Sequence, residues 1–141
     1  MTPKKIILHC SATKDSGTVS WGAIRKYHTQ VMGWKDIGYH YGIELVGDHY
    51  EVLIGRMVNE IGAHCEGHNS DSIGICFVGD FDSVAVPVPQ WQKGLQLVDW
   101  LCSVFNIHKN QVFGHREFNP GKSCPGKLFD INRFRNELKY G

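Results

Sequence analysis

The chain has 141 residues, with Lys plus Arg at 15, Asp plus Glu at 14 and a formal net charge of +1. That is the length of one ordinary domain, and 42% hydrophobic with 21% charged residues excludes disorder over most of it. A charge so evenly balanced, with no basic stripe, argues against a nucleic-acid partner, and five cysteines are too few and too odd in number for a disulfide framework.

The first apolar run, Ile6 to Leu8, is far shorter than a secretory core of roughly seven residues or a membrane span of roughly twenty. The expectation is therefore a protein made in the cytoplasm without a signal peptide and without stable membrane association. Lys5 to Cys10 reads as a buried strand, and Ser11 to Gly17 as a polar loop. Ser20 is placed to cap a helix with apolar positions Trp21, Ile24, Tyr27 and Val31, which Gly33 ends. Tyr39 to Val46, Gly47-Asp48 and His49 to Ile54 form a hairpin pattern. Ser72 to Val78 is a second buried strand. Val86 to Pro89 leads into the longest helix, which carries Trp91, Leu95, Val98, Cys102 and Phe105 on one face. Gln111 to Phe113 is a short strand, and Asp130 caps a last helix through Leu138. The fold class expected is α/β: a single domain, residues 1–141, with a central mixed sheet flanked by helices. Its most irregular stretch runs from Gly114 to Lys127.

Eight histidines and scattered cysteines make a metal site worth seeking. His9 ends the first strand, where α/β sheets present functional groups. His115 follows the short strand, and Cys124 lies in the Gly/Pro-punctuated loop Asn119 to Gly126. Two imidazoles and a thiolate suit Zn²⁺ and leave a fourth tetrahedral position for water. Spacing alone leaves open that all three are structural side chains.

The blocks Leu8-His-Cys-Ser-Ala-Thr13, Ile37-Gly-Tyr-His-Tyr41, Ile61-Gly-Ala-His64, Ser72-Ile-Gly-Ile75, Gly114-His-Arg-Glu117 and Lys122-Ser-Cys-Pro125 together resemble, in order, the type-2 N-acetylmuramoyl-L-alanine amidases. This is the family of the T-seven type of phage lysozyme, and it shares its fold with peptidoglycan-recognition proteins. The resemblance implies one zinc per chain in a surface groove, held by His9, His115 and Cys124. It also implies a tyrosine facing the metal's water at Tyr39 and a lysine beside the metal at Lys122. The reaction implied is hydrolysis of the amide between N-acetylmuramic acid and the L-alanine of the stem peptide, in a phage or prophage endolysin acting on the cell wall after release. The substrate is then peptidoglycan or a muropeptide. A monomer is the default state, since no exposed apolar helix face in the sequence announces a partner.

Other residues are weighed beside these. Cys10 adjoins His9 on a strand and so points to the opposite face, as a core thiol and not a fourth ligand. His64 and His68 are bracketed by glycines and lack the glutamate of a helical zinc motif, so they read as a loop lining the groove, with His64 the substrate contact. His40 reads as structural, and His28, His49 and His108 receive no role. Lysins of the T-seven type carry an N-terminal arm before the first strand that is tied to binding the phage RNA polymerase. Here the first strand begins by Lys5, which makes polymerase binding doubtful. The loop from His115 to Cys124 is one residue longer than in those lysins, which shifts Lys122. The competing functions are a non-catalytic peptidoglycan-binding module and a cytosolic wall-recycling amidase acting on anhydro-muropeptides. Cys124 and Tyr39 weigh against the first, and Cys124, where the recycling enzymes use Asp, against the second.

Overall fold

Ile6, Ile7 and Leu8 are β-branched or apolar and fully buried, and they form the middle of strand β1 (Lys5–Cys10) in a computed structural model that describes residues 1–12 and 20–140. Most of the polar loop expected from Ser11 to Gly17, and Thr13 of the first block, lie outside the described residues. The other strands are β2 (Tyr41–Val46), β3 (His49–Ile54), β4 (Ser72–Phe77) and β5 (Val112–Gly114), in the order β3-β2-β4-β1-β5. Only β2 and β3 pair antiparallel, as the hairpin through Gly47-Asp48 requires, and the remaining pairs are parallel. The expected mixed sheet thus has five strands. Every residue of β4 is buried, as a central strand covered on both faces demands.

One face packs against α2 (Val88–Phe105) and α3 (Ile131–Glu137), around Phe77, Trp91, Leu101, Phe129 and Phe134. Fully burying each such side chain contributes about 1.5–3 kcal/mol before conformational entropy is counted. The apolar face of α2 is centred differently from the expectation: Gly94, Leu97 and Leu101 are buried beside Trp91, Val98 and Cys102, whereas Leu95 and Phe105 are half-buried. Gly94 permits this, since a Cβ there would come within 2.4 Å of the Phe77 ring. Asp130 caps α3 as expected, its side chain accepting from the Arg133 N–H at 3.0 Å.

The opposite face carries a smaller core of Trp21, Ile37, Cys76 and Val78 under α1 (Trp21–Lys26). Ser20 caps this helix, its Oγ accepting from the Ala23 N–H at 3.1 Å. The expected apolar stripe fails beyond the first turns, because the helix continues as a π-turn over Tyr27–Val31. One extra residue in a turn rotates everything after it by about 100°. Val31 is consequently 67% exposed, Tyr27 at the start of the turn is 54% exposed, and Trp21 alone of α1 is buried. Gly33, at φ +74°, ends the turn.

Candidate metal centre

Register brings the first two candidate ligands together. Leu8 pairs with Gly114 across the parallel strands β1 and β5, so the next residue of each, His9 and His115, emerges at one edge. Their ring centroids lie 4.7 Å apart. Cys124 is returned to this edge by a loop held from several sides. The Arg116 backbone N–H donates to the Cys124 carbonyl at 2.8 Å, and its guanidinium donates to the carbonyls of Ser123, Gly126 and Phe129. Asp82 accepts from the Ser123 hydroxyl and the Lys127 N–H, both at 2.8 Å. The Cys124-Pro125 peptide is cis, and Gly126 follows at φ +128°, where a Cβ would meet Phe81 at 2.6 Å.

The result is a cluster of three donors. Ligand atoms of His9, His115 and Cys124 all lie within 4.8 Å of one another, the group of this kind among the described residues. His9 Nδ1 is 3.7 Å from Cys124 Sγ. Tetrahedral zinc with ordinary Zn–N and Zn–S bonds sets such a pair about 3.6 Å apart, so the donor set fits that ion. Burial, followed by the neighbouring His64, His115 and Lys122, holds the His9 imidazole well below its ordinary pKa. Burial and then Lys122 lower His115. Both imidazoles are therefore neutral, each with a lone pair for a metal. Cys124 is shifted the other way: a hydrogen bond with the Cys10 thiol, then burial, raises it.

Cys10 is a core thiol outside the donor group, as expected, with one contact that its sequence position did not show. It packs against the opposite-face core as strand alternation requires, yet at the strand's end it is only half-buried and reaches Cys124. Its backbone N–H donates to Cys124 Sγ at 3.4 Å.

A profile of the family described as N-acetylmuramoyl-L-alanine amidase matches residues 1–127. The chain belongs to the N-acetylmuramoyl-L-alanine amidase family. The endolysin of Escherichia phage T7 is 36% identical over 140 residues, covering 94% of this chain and 87% of that protein. The amidase LysC from Clostridium intestinale superposes with a TM-score of 0.85 at 26% identity, over 98% of this chain and 87% of that one. A Drosophila peptidoglycan-recognition protein LB mutant, in complex with tracheal cytotoxin, superposes with a TM-score of 0.80 at 25% identity over 100% and 85%.

In this amidase two adjoining cavities of about 540 and 600 Å³ form one groove, with Trp34, Ala63, His64, His115 and Lys122 common to both. Tyr39 lines the first, its ring 5.2 Å from that of His9, with its hydroxyl against the Cys76 thiol. Burial, then the surrounding Cys76, Cys124 and Cys10, keeps that hydroxyl well above its usual pKa and so protonated. Tyr39 and His40 precede β2 instead of opening it; Arg56 and Gly55 N–H groups bond their carbonyls at 2.9 and 2.8 Å. His40 is structural as expected, accepting from the Gly74 N–H through Nδ1 and contacting the Glu60 carbonyl through Nε2.

His64 touches both cavities, but it is only 9% exposed and both ring nitrogens are engaged, by His9 at 2.9 Å and Ser72 at 3.2 Å. His68 packs instead on Phe118, with ring centroids 4.1 Å apart. Sequence reasoning passed over His28, which lines the groove between Trp34 and Tyr39 while its Nδ1 accepts from the Gly38 N–H. It also passed over Arg116, whose place beside a candidate ligand in a Gly/Pro-rich loop was the available signal.

Proposed function

We propose that this peptidoglycan amidase is a zinc enzyme of one domain, residues 1–141, that works as an endolysin. In this reading it cleaves the amide between N-acetylmuramic acid and the L-alanine of the stem peptide. The observation that carries the metal is the convergence of His9, His115 and Cys124 donor atoms within 4.8 Å on the wall of a groove. Zinc in that position supplies Lewis acidity and a more acidic water at neutral pH.

The chain's own residues do the rest. Lys122, like His115, lines both cavities of the groove, and its ammonium would stabilise a carbonyl oxygen there as it gains negative charge. Tyr39, held protonated at the groove, would turn its hydroxyl from the Cys76 thiol to donate to the attacking water or to the tetrahedral centre. The groove holds the glycan–peptide junction, with peptidoglycan or a muropeptide as partner. The tracheal cytotoxin complex of the LB relative supports a ligand of that class on this fold. The phage T7 endolysin, matched over 87% of its length, supports a role in lysis, with synthesis in the cytoplasm and action on the cell wall after release. Among the described residues no helix is long and apolar enough to cross a membrane. We take the working unit to be a monomer binding one zinc.

The test is mass spectrometry of purified peptidoglycan digested by the zinc-loaded protein, beside a chelated control. Free stem peptides beginning at L-alanine, absent after chelation, are the expected products. New reducing sugar ends, or intact wall, would overturn the reading.

A further inference from the structure

We infer that Ser72 and His64 form a positioning relay behind His9, one that protonates His9 at Nε2 and leaves Nδ1 bare for the metal. The inference rests on the reading of His9 as a ligand. It follows from counting protons along a chain of hydrogen bonds.

The count starts at Ser72. Its hydroxyl donates to the His68 carbonyl at 2.6 Å, which commits its only proton. His64 Nε2 lies 3.2 Å from the same oxygen, so this nitrogen must donate and carry the ring proton. A neutral imidazole has one such proton, which makes His64 Nδ1 an acceptor. That atom lies 2.9 Å from His9 Nε2, which therefore donates. His9 Nδ1 is left with its lone pair, and Nδ1 is the atom facing Cys124 Sγ at 3.7 Å. The opposite tautomer of His9 would turn His64 over and require Ser72 to abandon the His68 carbonyl. A hydrogen bond would be lost and a polar group left unpaired.

The seat of His64 leaves it no other place to go. A Cβ on Gly74 would come within 2.5 Å of its ring, and one on Gly62 within 2.7 Å. Asn69 Oδ1 accepts from the backbone N–H groups of His64 and Cys65, both at 2.9 Å, which fixes the main chain. Such outer partners orient a ligand imidazole and raise its basicity, and their loss costs about 10–100-fold in metal affinity. His64 is thus a positioning residue, acting through His9.

The test has two readouts. Long-range ¹H–¹⁵N spectra of the metal-free ¹⁵N-labelled protein at neutral pH should show His9 with a protonated Nε2 and a bare Nδ1. A His9 protonated at Nδ1 would overturn the relay, and this measurement needs no variant to fold. Zinc affinity, from competition with a chromophoric chelator, should then fall about 10–100-fold in His64→Phe. It should recover in part in His64→Asn, whose Oδ1 replaces the lost acceptor. Unchanged zinc affinity in a folded His64→Phe would overturn the relay while leaving His9 a ligand. A wild-type protein with the expected tautomer but no zinc binding would overturn the metal reading instead.

Discussion

His115 stands beside His9 because Leu8 and Gly114 are register partners in neighbouring parallel strands, so each strand delivers an imidazole one step later to the same edge. The third donor, Cys124, comes from a loop and depends on side chains that hold it there.

Cys124→Ser should weaken zinc binding by more than the about 10–100-fold that an outer-shell change costs, since a thiolate ligand is lost outright. Because its bond with Cys10 and its burial keep Cys124 protonated in the metal-free protein, zinc binding near pH 7 should release about one proton. Calorimetric titration in two buffers of different ionisation enthalpy measures that number. No buffer dependence would show that the thiol is not displaced.

Lys122→Ala should lower kcat on peptidoglycan about 10²–10³-fold, the usual loss for one oxyanion donor. Zinc content should stay at the wild-type level, because Lys122 lines the groove without belonging to the donor cluster. Metal analysis alongside the kinetics separates this from a damaged site.

The metal-free protein should lose stability as pH falls below about 6.5. Burial, followed by His40, lowers the folded-state pKa of His64 to about 3, against 6.5 when unfolded. The unfolded chain takes up this proton first, so the contribution is complete above about pH 6.5 and declines as pH falls toward 3. By pH 4.5 the loss is about 2–3 kcal/mol from His64, and His40, also lowered by burial, adds to it. Urea unfolding of the chelated protein across this range tests it, and a flat profile would contradict it.

Arg116→Ala should remove a donor from the carbonyls of Ser123, Gly126 and Phe129, of which the first two keep a backbone N–H. The expected cost is about 2 kcal/mol, or roughly 6 °C in Tm. Zinc affinity should fall as well, since the guanidinium's contacts to the carbonyls of Ser123 and Gly126 flank Cys124 in the loop that presents it. Arg116→Lys should recover little, because an ammonium does not reproduce the planar fork.

Local chemistry along the chain suffices for the elements and the donor types. Apolar runs at β1 and β4, the Gly47-Asp48 hairpin, and the Ser20 and Asp130 caps all follow from local chemistry, and they appear where the residues require. His9, His115 and Cys124 were legible as candidates because strand ends and a Gly/Pro-rich loop present side chains outward. Other features depend on neighbours distant in sequence and emerge only on folding. The π-turn over Tyr27–Val31 turns a helical apolar stripe toward solvent. Cys10 meets Cys124 across 114 residues, a contact that strand alternation does not reveal. His64 follows His9 by 55 residues, and only packing over Gly74 turns its ring toward that ligand. Periodicity reports which face a side chain takes; it carries no record of what another segment brings to meet it.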